Sequence, residues 1–173
     1  YKNKAKSSNS GVIALFTEDK FQIKNIRNFL LKDETSYVEK IIKNKKDTKQ
    51  KIISFNINTK KTLILISVKN NLKGSGVESL GAEFFNYIKN NSFKDLSIIA
   101  ESVKSKPGKD FVGRFVHGLR LKSYEFNLYK TKKTKNNLRI NLIGKQNTFS
   151  LKNKLKFKAL EEGTFFTRDL VSE

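Results

Sequence analysis

The sequence predicts an α/β chain, a three-layer α/β/α arrangement around a mixed sheet, and three observations point to it. Short apolar runs rich in β-branched residues alternate along the chain with stretches of helical spacing. Two of the runs, residues 52–57 and 62–68, are separated only by the polar residues 58–61, the spacing of a hairpin, so the sheet is not wholly parallel. One run, Leu63-Ile64-Leu65-Ile66, is apolar on both faces, as a central strand covered by helices must be. With 173 residues, 37% hydrophobic and including 14 Phe, the chain carries enough apolar material for a core, which excludes wholesale disorder.

In chain order, residues 1–10 read as a polar, ragged start, and residues 11–17, GVIALFT, as a buried strand. Residues 21–31 are ambiguous: Ile23, Ile26, Phe29 and Leu30 fit one helical face, but an extended path fits too. Val38, Ile41 and Ile42 have helical spacing, and Ser36 with Glu39 fits a capping box at the start of that helix. Lys43, Lys45, Lys46, Lys49 and Lys51 then mark a solvated loop before the hairpin.

Residues 73–81, KGSGVESLG, follow the second hairpin strand and lead into a helix. Glycines between a strand and a helix suit a phosphate cradle, but Ser79 stands where a dinucleotide fingerprint needs its third glycine, and no Lys-Ser or Lys-Thr pair makes a Walker loop. A tight turn ahead of the helix is the better reading, with Val77, Leu80, Phe84, Tyr87 and Ile88 on the helix's apolar face. Residues 95–100 read as a strand and 106–108, KPG, as a turn. Asp110 is placed to cap a helix over residues 111–121 that buries Phe111, Val112, Phe115, Val116 and Leu119. That helix carries His117, the sole histidine; with no cysteine and no carboxylate pair nearby in sequence, it is a poor metal or catalytic candidate. Residues 138–144 form one more strand. The alternation at 151–158 resembles a strand, yet Leu155, Ala159, Gly163, Phe166 and Leu170 keep helical spacing, so a short extended lead-in and a helix from about Asn153 are expected.

The formal charge is +20, from 36 basic and 16 acidic residues, a balance that attracts polyanions. Lys130, Lys132, Lys133 and Lys135 follow the aromatics Tyr124, Phe126 and Tyr129, so the stretch is either a nucleic-acid surface or a set of core anchors with solvated lysines beyond it. Only five of the basic residues are Arg, the side chain that reads phosphates and bases best, and lysine enrichment is also what an AT-rich coding sequence yields. The anchor reading is preferred, and those four lysines remain the candidates for DNA or polyanion contact. The absence of cysteine fits a reducing compartment, so a cytoplasmic location is expected; no secretory signal opens the chain, and no apolar run suggests a membrane partner. Met is absent even at position 1, and residues 167–173 read as helix that simply ceases, so the chain is expected to be part of a longer protein.

Residues 118–131, GLRLKSYEFNLYKT, resemble the signature that ends the last amino-domain helix of the leucyl aminopeptidases, with its Gly, Leu, Tyr-x-Phe and Tyr-Lys before a lysine-rich bridge. Residues 159–173, ALEEGTFFTRDLVSE, resemble the family's connector helix, and residues 76–82, GVESLGA, agree more weakly. The resemblance implies a macro-like amino-terminal domain over residues 11–150 and a connector helix over 151–173 leading towards a catalytic domain. It further implies a cytoplasmic metallo-exopeptidase that acts on peptides as a homo-hexamer. Two divalent metals, zinc or manganese, would be bound by Lys, Asp and Glu of the catalytic domain. Residues 67–71, SVKNN, depart from the glycine-rich turn usual there. Neither catalytic nor metal-binding residues, nor a cofactor, are expected within this chain: its acidic residues are scattered, the adjacent Glu161 and Glu162 point apart on a helix, and two-metal hydrolysis needs convergent carboxylates. The roles implied for the domain are assembly and access to the active site; some relatives also double as DNA-binding regulators.

Overall fold

The computed structural model describes residues 11–44, 49–103, 110–124, 138–144 and 151–172. Five strands form one sheet: β1 (Gly11–Glu18), β2 (Ile52–Asn58), β3 (Lys61–Val68), β4 (Asp95–Ile99) and β5 (Arg139–Ile143). The helices are α1 (Lys32–Asn44), α2 (Gly74–Asn90), α3 (Phe111–Ser123) and α4 (Leu151–Ser172). The strand order is β2-β3-β1-β4-β5. β1, β3, β4 and β5 run parallel and β2 is antiparallel to β3, so the α/β class and the mixed sheet are as expected. The chain divides into two compact units, one built on the sheet and α1, the other on α2, α3 and α4.

In the sheet unit, period-two alternation sorts the side chains. Ile13 and Leu15 of β1 join Leu63 and Leu65 of β3 and Ile53 of β2 in a cluster with Val38 and Ile42 of α1. Ala14, Phe16, Ile64 and Ile66, on the opposite face, are buried too, which is why β1 and β3 tolerate no polar alternation. Each such Leu or Ile contributes roughly 1.5–3 kcal/mol relative to exposure. The hairpin turn is closed by Asn58, whose Oδ1 accepts from Lys60 N at 2.9 Å.

Four sequence expectations change. Residues 21–31 are neither a helix nor a strand: two 3-10 turns, Asp19–Phe21 and Arg27–Phe29, carry the chain while Phe21, Ile23 and Ile26 enter the core cluster. The capping box at Ser36 does not form, because α1 already begins at Lys32. Leu31 N donates to Glu34 Oε2 at 3.0 Å, so a carboxylate three residues on caps the helix, while Ser36 Oγ donates back to Lys32 O at 3.3 Å and Glu39 pairs with Arg27 at 2.8 Å. Finally, the glycines before Ala82 are no turn ahead of a helix; they lie inside α2, which starts at Gly74. α4 begins at Leu151, two residues before the expected start.

Candidate functional site

In the helical unit, α2 and α3 approach through paired glycines. A Cβ at Gly118 would lie 2.7 Å from Glu78 Cα and nearer still to the Glu78 carbonyl oxygen; a Cβ at Gly81 would lie 2.9 Å from Leu119 N and nearer still to the Phe115 carbonyl oxygen. Any larger residue at either position forces the two backbones apart. The close approach packs Phe84 against Phe115 with ring centroids 5.4 Å apart, and Arg114 Nη1 meets Glu78 Oε1 at 3.0 Å. Asp110 occupies the N-cap of α3 but makes no side-chain capping bond; its carbonyl accepts from Arg114 N at 2.9 Å.

α4 attaches to α3 differently, through polar groups at two levels. At the first, His117 Nδ1 lies 3.1 Å from Glu161 Oε1, and Arg120 Nη1 lies 2.9 Å from Glu161 Oε2. The side chains of His117 and Glu161 are 7% and 6% exposed, and the Phe157 ring covers the imidazole at 4.8 Å between centroids. At the second, the Tyr124 hydroxyl donates to Asp169 Oδ1, its ring stacks on Phe165 at 5.2 Å, and the Arg168 guanidinium sits 5.4 Å from the Tyr124 ring centroid. Arg168 Nη1 also donates to the Leu121 carbonyl at 2.9 Å. Desolvation of the half-buried Tyr124 hydroxyl, then its hydrogen bond to the Asp169 carboxylate and that group's charge, push its pKa up to about 12 against the lowering effect of Arg168. It therefore stays a donor at neutral pH.

His117 thus has a carboxylate partner after all, 44 residues away in sequence and invisible to any local motif. The four-residue spacing of Phe157, Glu161, Phe165 and Asp169 is the signal that could have revealed the docked face of α4. Both oxygens of Glu161 are engaged with α3, so the cluster is a clasp between helices. Glu162, one residue on, points away and meets Lys158 at 3.6 Å on the surface, as expected for the pair. Among the described residues no group of three or more His, Cys, Asp or Glu side chains is placed to hold a metal ion.

At the carboxyl end of β1, where a sheet of this order would seat a ligand, Ser102 and Asn25 bond the backbone while Asn25 Oδ1 stays buried with no hydrogen-bond partner among the described residues. Ser102 Oγ accepts from Phe16 N at 2.8 Å and donates to Ile99 O at 2.6 Å, while Asn25 Nδ2 donates to Phe16 O and Ser102 O at 2.9 and 2.6 Å. Of the three aromatics ahead of the lysines, Tyr124 is half-buried against α4, while Phe126, Tyr129 and the candidate lysines Lys130, Lys132, Lys133 and Lys135 lie outside the described residues. No helix among the described residues is long and apolar enough to cross a membrane.

No protein-family model matches the chain, and no curated protein does. Among solved structures, a mutant of leucine aminopeptidase from tomato matches with a TM-score of 0.61 at 13% identity, over 91% of this chain and 34% of that one. The likeness is one of fold, and this chain spans about a third of that aminopeptidase's length.

Proposed function

We propose that this chain is the non-catalytic amino-terminal domain of a leucyl-type aminopeptidase, a metallo-exopeptidase that releases amino-terminal residues from peptides. One observation carries the reading. The two stretches that resemble the family pack against each other in the helical unit, Arg120 on Glu161 and Tyr124 on Asp169 and Arg168, within a fold similar to that of a leucine aminopeptidase. The contact gives the resemblance a structural reason, whereas stretches matched by chance need not touch.

On this reading the domain serves assembly, as a homo-hexamer, and access to the active site, while a catalytic portion of the same cytoplasmic polypeptide holds two zinc or manganese ions and the peptide. The α3–α4 clasp sets the course of α4, the helix that would connect the two portions. The experiment is direct: a polypeptide that carries this chain together with a catalytic portion, supplied with zinc or manganese, hydrolyses leucine amide, and the 173-residue chain does not.

The +20 charge favours a second reading, a DNA- or polyanion-binding module acting through Lys130, Lys132, Lys133 and Lys135. Duplex DNA titrated at two salt concentrations separates the cases. Sequence-independent binding that vanishes near physiological salt leaves only non-specific attraction.

A further inference from the structure

β2 ends the sheet, and no described strand continues it on that side. Its ladder to β3 fixes which way each backbone group points. Lys51 O accepts from Ser67 N at 2.8 Å, so by period-two alternation Ile53 and Phe55 also turn their N–H and C=O groups towards β3. Those of Ile52 and Asn56 then point out of the sheet, along its open edge. A solvent-facing edge is normally guarded by lysine, proline or a bulge, because bare backbone groups recruit other chains. Here the guards are missing where they would be easiest to supply. Charged residues make up 30% of the chain, yet residues 52–59, IISFNINT, include none, and no proline. The register shift comes only at the far end, between Asn56 and Asn58. β5, at the other end of the sheet, starts with the exposed Arg139. An aromatic side chain marks the same place. Of the large hydrophobic residues exposed among those described, five lie on α4 between Leu155 and Val171, and the sheet unit has Leu31 and Tyr37. Tyr37 of α1 stands edge-on to Phe55 of β2, with ring centroids 6.4 Å apart, and is 44% exposed. An amphipathic ring beside a bare strand suits a contact surface.

We propose that β2 pairs antiparallel with β2 of a second copy of this chain. The two five-stranded sheets then join edge to edge across a two-fold axis. As a surface for assembly the contact rests on the aminopeptidase reading; as a contact it stands on β2 and Tyr37. The chemistry of the edge chooses the occupant. An acidic peptide or a nucleic acid would be held by lysines, and residues 52–59 offer none. What the edge presents is backbone hydrogen bonding and residues of high strand propensity, Ile52, Ile53, Phe55 and Ile57. β2 itself matches those properties, and a two-fold axis lets each copy present the same groups to the other. Neutrality also explains how two chains of +20 can meet. The strands in closest contact carry no charge, and physiological salt screens the other charges over about 8 Å. Pairing should therefore strengthen as salt rises, the opposite of polyanion binding.

Amide hydrogen exchange of the 173-residue chain, read residue by residue by NMR at low and high protein concentration, tests the pairing. The Ile52 and Asn56 amides should exchange at least tenfold slower in the concentrated sample, with the amide of the exposed Lys24 changed less than twofold. Sedimentation velocity on the same samples should show monomer passing to dimer, more completely at high salt. Asn56→Lys puts a charge on an exposed position of the edge and should leave a monomer with unchanged far-ultraviolet circular dichroism. Asn56→Thr, uncharged and suited to a strand, should still pair. A monomer at every concentration overturns the proposal. So does a dimer that survives Asn56→Lys, or one in which the Ile52 and Asn56 amides stay unprotected. Protection of both amides that does not vary with concentration assigns the edge to another part of the same chain and overturns it as well. Leucine amide hydrolysis by the longer polypeptide keeps the two readings apart. Pairing without hydrolysis refutes the enzyme alone, and hydrolysis without pairing refutes this contact alone.

Discussion

Replacing Gly118 with alanine places a methyl carbon 2.7 Å from Glu78 Cα, where carbon atoms prefer about 3.5–4.0 Å. Relief requires α2 and α3 to separate by about 1 Å along that contact, and a gap of that size forfeits up to about half of the attraction of every atom pair it opens. Phe84 against Phe115 is the first contact to suffer. Overpacking of this kind costs about 1–3 kcal/mol and sometimes more, and here the obstacle is backbone, which cannot rotate away. Helix propensity works against the loss by about 0.5–1 kcal/mol. The net expectation is a destabilisation of about 2 kcal/mol, or about 4–8 °C in Tm for a chain of this size. Gly163→Ala supplies the contrasting case: the same substitution, also mid-helix, with open space around it. It should stabilise the 173-residue chain by about 0.5–1 kcal/mol. Urea and thermal unfolding followed by far-ultraviolet circular dichroism read both. Equal or greater stability for Gly118→Ala than for the unsubstituted chain refutes the account of the paired glycines.

Three further substitutions test the charged and polar contacts. Lys61, with its side chain 2% exposed, meets both oxygens of Glu34 at 2.8 and 2.9 Å, so Lys61→Ala leaves a carboxylate buried and should cost about 3–5 kcal/mol in urea unfolding, with much of it recovered when Glu34→Leu is added. Glu161→Ala strips both His117 and Arg120 of their partner and should expose α4 to limited proteolysis at protein concentrations where the unsubstituted chain resists, whereas Glu161→Gln, which keeps one acceptor oxygen, should do so less. Tyr124 has its pKa raised from 10.0 to about 12, so its contribution is complete below pH 10 and is lost as pH rises from there through about 12. Unfolding of Tyr124→Phe should therefore lack that alkaline dependence, and identical pH profiles for the two proteins would show that the Tyr124–Asp169 bond contributes nothing.

The strands were legible because their cause is local. Residues 52–57 and 62–68 carry β-branched apolar runs around Asn58, and no distant partner is needed to see a hairpin in them. The start of α1 was not, since its cap is Glu34 reaching back to the backbone of Leu31, and a backbone N–H leaves no mark in sequence. Gly74 and Gly81 read as punctuation because glycine usually marks a turn. What they do instead is leave room, Gly74 for the Arg114 guanidinium and Gly81 for the backbone of α3, and those partners are more than thirty residues away. Around His117 the sequence shows no cysteine and no carboxylate pair, and the carboxylate it meets lies on another helix. The stripe from Leu155 to Leu170 was read correctly as helical, but periodicity reports only that an apolar face exists. Its exposure, with the polar face docked, is a tertiary fact.

Hydrolysis of leucine amide bears most directly on the proposed function. A polypeptide in which this chain precedes a catalytic portion, loaded with zinc or manganese, should release leucine, and removing the metal with a chelator should stop it. The 173-residue chain under the same conditions should release none. Hydrolysis by the 173-residue chain itself, or none by the metal-loaded longer polypeptide, contradicts the reading of this chain as the non-catalytic domain of an aminopeptidase.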